Sequence, residues 1–114
     1  MIKIIDKEIN NEQLIKLAQN YYDDMIKGVV DIKRQILALG GEMHADAEDI
    51  LLADGSNQKD LWGFNILLNT PVDECLVYES FINIRPRDKN TNLEVQDPLI
   101  REEMKKIIFN LVQI

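Results

Sequence analysis

Around residue 44 the chain reads Glu42-Met43-His44-Ala45-Asp46-Ala47-Glu48, an imidazole set among carboxylates. On an extended backbone side chains alternate, so Glu42, His44, Asp46 and Glu48 share one face and Met43, Ala45 and Ala47 the other. One imidazole with several carboxylate oxygens is a ligand set for a borderline or hard divalent metal, manganese, iron or zinc, drawn from His44, Asp46 and Glu48. The same groups can form a general base oriented by a carboxylate. A plainer reading competes and carries more weight. Alternating polar and small residues also make the wet face of a half-buried sheet, and side chains two apart on a strand lie about 7 Å from each other, too far to chelate unaided. His44 is the only histidine, which excludes a two-histidine site within one chain. Beyond such a metal, no cofactor is evident.

Polar residues also interrupt otherwise apolar strand-like segments. Asn65 stands between Phe64 and Ile66, while Glu79, Asn83 and Arg85 fall on the odd-numbered face of theirs. If neighbouring strands bring these beside the His44 segment, all eight residues make one mixed-charge face for a ligand or partner. Arg85 with a carboxylate then reads first as a cross-strand ion pair. Trp62, at period two with Phe64 and Ile66, reads as core, and Cys75 as a small buried hydrophobe. No phosphate-binding glycine loop, CxxC pair, nucleophile elbow or basic–aromatic surface is present.

The elements that must position these groups follow from spacing and punctuation. Residues 1–5 read as a strand. Asn10 and Gln13 make a capping box, and Leu14, Leu17, Ala18, Tyr21, Tyr22 and Met25 follow at helical spacing, predicting a helix over about 11–26 that ends at Gly28. Residues 29–39 fit two templates. Val30, Ile32, Ile36 and Ala38 share a strand face, whereas Met25, Val29, Ile32, Ile36 and Leu39 keep a helical spacing. Val29-Val30 after a glycine, with Gly40-Gly41 as a hairpin turn, favour the strand. Ile50–Ala53 reads as strand before the turn cluster Asp54-Gly55-Ser56-Asn57. Leu61 to Leu68 alternates, as do Leu76, Tyr78, Ile82 and Ile84, and Leu93-Glu94-Val95 is at most a short edge strand. Asp97 as N-cap and Pro98 at the first helical position open a helix over about 98–112. The sum is an α+β fold: an antiparallel β-sheet, arranged as a meander, with the N-terminal and C-terminal helices on one face.

The 114 residues suit a single domain, 1–114, with one core. Hydrophobic residues make up 46% and charged ones 29%, which argues against disorder. One cysteine allows no internal disulfide, so a reducing cytoplasm is the simplest compartment. The N-terminus lacks a signal-peptide pattern, and no window reaches the roughly 18 apolar residues of a membrane span. A net charge of −7, from 13 basic and 20 acidic residues, disfavours nucleic-acid and anionic-membrane partners. The run Arg85-Pro86-Arg87-Asp88-Lys89 is the only local basic spot.

Several blocks together carry a resemblance: Val30-Asp31-Ile32, Gly40-Gly41 through Glu48, Asp54-Gly55-Ser56, Gln58 with Asp60-Leu61-Trp62-Gly63, Asn83-Ile84-Arg85-Pro86, Asp97-Pro98 and Ile100-Arg101-Glu102. They resemble a small bacterial family known only as a domain of unknown function, and the resemblance spans nearly the whole chain. It implies a complete bacterial protein of that kind and transfers no activity, cofactor or catalytic residue. Three function classes follow from the residues. The first is a small cytoplasmic binding or interaction module that self-associates. The second is a metal-dependent enzyme, such as a hydrolase, using the His44/Asp46/Glu48 face with Glu79 or Asn83. The third, a toxin-like ribonuclease using Arg85, is disfavoured by the net charge.

Overall fold

A computed structural model describes all 114 residues, Met1–Ile114. In chain order it holds β1 (Lys3–Ile5), α1 (Asn11–Ala18), β2 (Met25–Asp31), β3 (Ile36–Leu39), α2 (His44–Ala53), β4 (Leu61–Leu67), β5 (Leu76–Val77) and α3 (Pro98–Leu111). Single 3₁₀ turns lie at Gln58–Asp60, Val72–Glu74, Phe81–Asn83 and Pro86–Asp88. The fold is α+β, as the sequence predicts, and every strand pairing is antiparallel. The strand order is β1-β3-β2-β4-β5, so the connections are not those of a sequential meander. β2 is central, pairing with β3 on one side and with β4 from Met25↔Leu67 to Asp31↔Leu61 on the other.

Period-two alternation sorts the strands onto two faces. Ile26 and Val30 of β2, Leu37 and Leu39 of β3, and Trp62, Phe64 and Ile66 of β4 pack in one cluster with Leu14 and Ala18 of α1 and Met104, Ile107, Ile108 and Leu111 of α3. The two terminal helices thus cover one face, as expected. The opposite face carries Val29, Ala38 and Leu61, which pack against Ala47 and Leu51 of α2. Small residues on both sides, Ala38 and Ala47, let this third layer sit close. Each fully buried Leu, Ile or Phe in these clusters contributes roughly 1.5–3 kcal/mol by leaving water.

Local chemistry explains the helix ends. Asn10 Oδ1 accepts from Gln13 N, and Gln13 Oε1 accepts from Asn10 N, both at 2.9 Å, completing the capping box. At α3, Asp97 caps Leu99 N with Pro98 in the first turn, as the sequence predicts.

Four predicted elements differ. The first helix stops at Ala18 instead of residue 26, because Met25–Asp31 is taken as the central strand and its β-branched pair Val29-Val30 suits the pleat. Gly28, read as a helix end, lies mid-strand: a Cβ there would collide with the Phe64 ring and stand 2.7 Å from Leu39, so the bare backbone makes room for both. Residues 29–39 are parts of two strands joined by a turn in which Asp31 Oδ1 accepts from Lys33 N and Arg34 N, each at 2.9 Å, with Gln35 at φ 59°. Gly40 and Gly41 form no hairpin; at φ 107° and 89° they swing the chain off β3 into α2.

The other two differences concern residues 42–53 and 76–85. The segment read as an extended polar strand with an Ile50–Ala53 strand after it is α2, a run rich in Ala and Leu that ends at Asp54 and Gly55, the latter at φ 108°. Beyond β5, a two-residue strand, residues 81–83 form a 3₁₀ turn, so Glu79, Asn83 and Arg85 do not share a strand face.

Candidate functional site

Winding of residues 44–53 into a helix dissolves the predicted four-residue face. Helical spacing keeps His44 and Glu48 together at i and i+4 and turns Asp46 away. His44 and Glu48 are buried, whereas Glu42 and Asp46 are exposed. Asp46 lies in the first turn of α2, where a carboxylate suits the helix dipole. The Glu42 carbonyl accepts from the Tyr22 hydroxyl at 2.8 Å. No three His, Cys, Asp or Glu side chains are arranged to hold a metal ion.

A different gathering replaces the predicted one. Leu61, Gly63 and Asn65 follow one another along the α2 side of β4, and each meets one of the remaining candidates. At Asn65, the His44 imidazole enters and its Nε2 donates to the Phe64 carbonyl at 2.8 Å, which fixes the proton on that nitrogen. Burial holds the His44 pKa below its ordinary 6.5, with Lys27 pressing the same way and the Phe64 carbonyl and Asn65 opposing. The Asn65 amide donates to the Glu79 carbonyl at 3.4 Å, so Glu79 takes part through its backbone while its side chain is exposed.

At Gly63, the wholly buried Asn83 acts as a surrogate strand. Its Oδ1 accepts from Gly63 N at 2.8 Å and its Nδ2 donates to Gly63 O and Leu93 O, both at 3.1 Å. Asn90 works alike, donating to the carbonyls of Asn83, Asn92 and Glu94 and accepting from Gln96 N. Two amide side chains thus satisfy the backbone of an irregular segment that has no regular ladder of its own.

At Leu61 lies Arg85. Its Nη1 donates to the carbonyls of Gln58 at 2.7 Å and Leu61 at 2.8 Å, and its guanidinium lies 3.9 Å from the Trp62 ring centroid. Only 11% of the side chain is exposed. Nε sits 3.3 Å from Asp88 Oδ2, an ion pair by distance, but the angles make no hydrogen bond, and Nη2 also has no partner. Burial lowers the Arg85 pKa while Asp88, Glu48 and Asp60 pull it back up. Burial likewise raises the Glu48 pKa, opposed chiefly by the charge of Arg85. Glu48 Oε2, Asp60 Oδ2 and Trp62 Nε1 are buried without partners. Polar groups with unmet hydrogen-bonding capacity therefore collect around one fixed cation.

In front of Arg85 opens a cavity of about 520 Å³ lined by Asn57, Gln58, Lys59, Arg85, Pro86, Arg87 and Asp88. A second, of about 330 Å³, shares Lys59, Arg87 and Asp88 with it and adds Ile32, Trp62, Lys89 and Ile100. Lys59, Arg87 and Lys89 make no ion pair, while the protein's three ion pairs occupy Arg34, Arg85 and Arg101. Of the eight predicted residues, Asn65 lies in β4 and His44, Asn83 and Arg85 bond to its backbone; Glu48 is buried on α2 within reach of the Arg85 charge, and Glu42, Asp46 and the Glu79 side chain lie outside. Sequence reasoning missed Gln58, Lys59, Asp60 and Arg87 as neighbours of Arg85. The basic run at 85–89 was the signal available for Arg87, whereas nothing local marks Lys59.

A family described as "Protein of unknown function (DUF5674)" matches residues 3–111, and the chain belongs to it. No curated protein and no solved structure matches the chain. No helix is long and apolar enough to cross a membrane.

Proposed function

We propose that this protein is a small binding module whose ligand is a small molecule carrying an anionic group, seated in the cavity before Arg85. The observation that carries the reading is the gathering of cations at this polar cavity: exposed Lys59 and Arg87 in its wall, neither in an ion pair, backed by the Arg85 guanidinium that two carbonyls and an indole ring hold in place. Buried behind the wall, Arg85 adds fixed positive charge, while the exposed cations supply the donors that carboxylate or phosphate oxygens need. Arg87 and Lys59, free of ion pairs, add charge at the cavity wall. A protein of net charge −7 gathers these cations against its overall field.

The test is calorimetric titration with inorganic phosphate at low salt, on the natural chain and on Lys59→Ala/Arg87→Ala. Both replaced residues are exposed, so folding is retained. Saturable binding weakened at least tenfold in the variant is expected. Absence of binding to phosphate, or equal binding by both proteins, would overturn the reading.

Self-association is a second reading with its own support. Phe81 is 79% exposed, and Ile84 and Leu93 are 42% and 36% exposed. The Leu93 carbonyl accepts from Ser80 N and Asn83 Nδ2, which brings these three apolar side chains to one region of the surface. Light scattering of the natural chain and of Phe81→Ser tests it: a dimer that the substitution dissociates is expected, and a natural monomer overturns it. The buried free thiol of Cys75 suits residence in a reducing bacterial cytoplasm.

A further inference from the structure

We infer that the ligand of the Arg85 cavity is an organic phosphate monoester, with its phosphate in the larger chamber and its carbon body in the smaller one; this rests on the anion reading above. Two features separate a dianion from a carboxylate. Arg85 already faces Asp88 at 3.3 Å, so its charge is partly answered within the protein. Lys59, Arg87 and Lys89 are not answered by any carboxylate within salt-bridge distance. Lys59 and Arg87, on the wall the two chambers share, with Lys89 at the smaller one, call for more than one negative charge near the junction, and a phosphate monoester carries nearly two at neutral pH.

The second chamber specifies the rest of the molecule. Its wall includes Ile32 and Ile100, both half-buried, and the edge of Trp62. Inorganic phosphate leaves those apolar surfaces wet, whereas a monoester with a flat carbon body covers them. The chambers meet at Lys59, Arg87 and Asp88, so a molecule reaching from one to the other bends around these residues. Asp88 at the junction faces Arg85 and offsets part of the positive charge there.

The experiment compares inorganic phosphate, phenyl phosphate and benzoate by amide chemical-shift titration of the full chain and of Ile100→Ala. Phenyl phosphate is expected to bind about tenfold tighter than inorganic phosphate and tighter than benzoate. Ile100→Ala should remove its advantage over phosphate while leaving phosphate affinity unchanged. Equal affinity for phosphate and phenyl phosphate would overturn the inference and leave the anion reading standing. Benzoate equal to phenyl phosphate would overturn the dianion. Binding of none of the three would overturn the anion reading itself.

Discussion

Gly63→Ala tests whether the β4 seam is held by close approach of the Phe81–Asn83 turn. A Cβ on residue 63 would stand 2.5 Å from Ser80 Cβ, 2.7 Å from Ser80 Oγ and 3.2 Å from Ile82 Cγ1. Ordinary carbon contacts begin near about 3.5 Å, so Ser80 must withdraw by about 1 Å. It draws with it the turn carrying Asn83, whose amide makes two hydrogen bonds to Gly63. Overpacking of this kind costs about 1–3 kcal/mol, and weakening the buried amide bonds adds about 1 kcal/mol. A total near 3 kcal/mol is a large share of the roughly 5–15 kcal/mol that holds a domain together. With a urea m-value of about 1.5 kcal/mol/M, the midpoint should fall by about 2 M. Ser80→Gly removes two of the three clashing atoms; alone it costs about 1 kcal/mol, because Ser80 Oγ caps Ile82 N at 3.2 Å. The double variant should therefore lose only about 1–2 kcal/mol, well below the sum of the single losses, a positive coupling of about 2 kcal/mol. Urea titrations of the four proteins measure it. Strict additivity, or a neutral Gly63→Ala, would refute the close-approach argument.

Other outcomes follow from the same geometry. Asn83→Ala strips three hydrogen bonds from a wholly buried site and should cost about 2–4 kcal/mol in urea unfolding, whereas a change below about 1 kcal/mol would show that the irregular segment has other supports. The folded His44 pKa lies below 6.5, so the unfolded chain binds the extra proton first and stability should fall as pH drops below 6.5; Glu48, raised above 4.5, works oppositely, gaining stability as pH falls through its folded value. His44→Gln should abolish the first dependence and Glu48→Gln the second, read by thermal melts from pH 4.5 to 8. Asp88→Asn removes the negative charge beside Arg85 and should tighten phosphate binding several-fold in calorimetry; weaker binding would mean that Asp88 serves only to place the guanidinium. Cys75 is fully buried and its pKa is raised by that burial, so a thiol reagent should label it only when the protein unfolds, and prompt labelling of the folded protein would contradict the packing.

What the sequence disclosed and what it hid divide along physical lines. Caps speak locally: Asn10 with Gln13, and Asp97 with Pro98, satisfy orphaned backbone groups using residues a few positions away, so both helix starts were legible. Strand β4 was legible too, since Trp62, Phe64 and Ile66 alternate onto one covered face. The end of α1 was hidden because the competition for Met25 is settled by β4, some forty positions along the chain. Helix α2 was hidden for another reason. His44, Ala47, Glu48 and Leu51 keep a 3-1-3 spacing that marks one helical side, yet the polar–small alternation of 42–48 fits a strand equally well. The propensity of Ala45, Ala47, Leu51, Leu52 and Ala53 was the evidence that discriminated. Arg85 stood out in the sequence as part of a basic run, but its carbonyl, indole and carboxylate partners come together only in the folded chain.

The residues that end and follow α3 pair with the segment just before α1. Ile9 N donates to the Leu111 carbonyl at 2.8 Å, and Gln113 N donates to the Ile9 carbonyl at 2.9 Å, a parallel bridge between Ile9 and Val112. This pairing is a latch between two segments far apart in the chain. β1 is held independently by its ladder with β3, and α1 by Leu14 and Ala18 in the main core, so the latch is a separate tie across about a hundred residues, and cutting it would free the Ile9 segment while leaving the sheet paired.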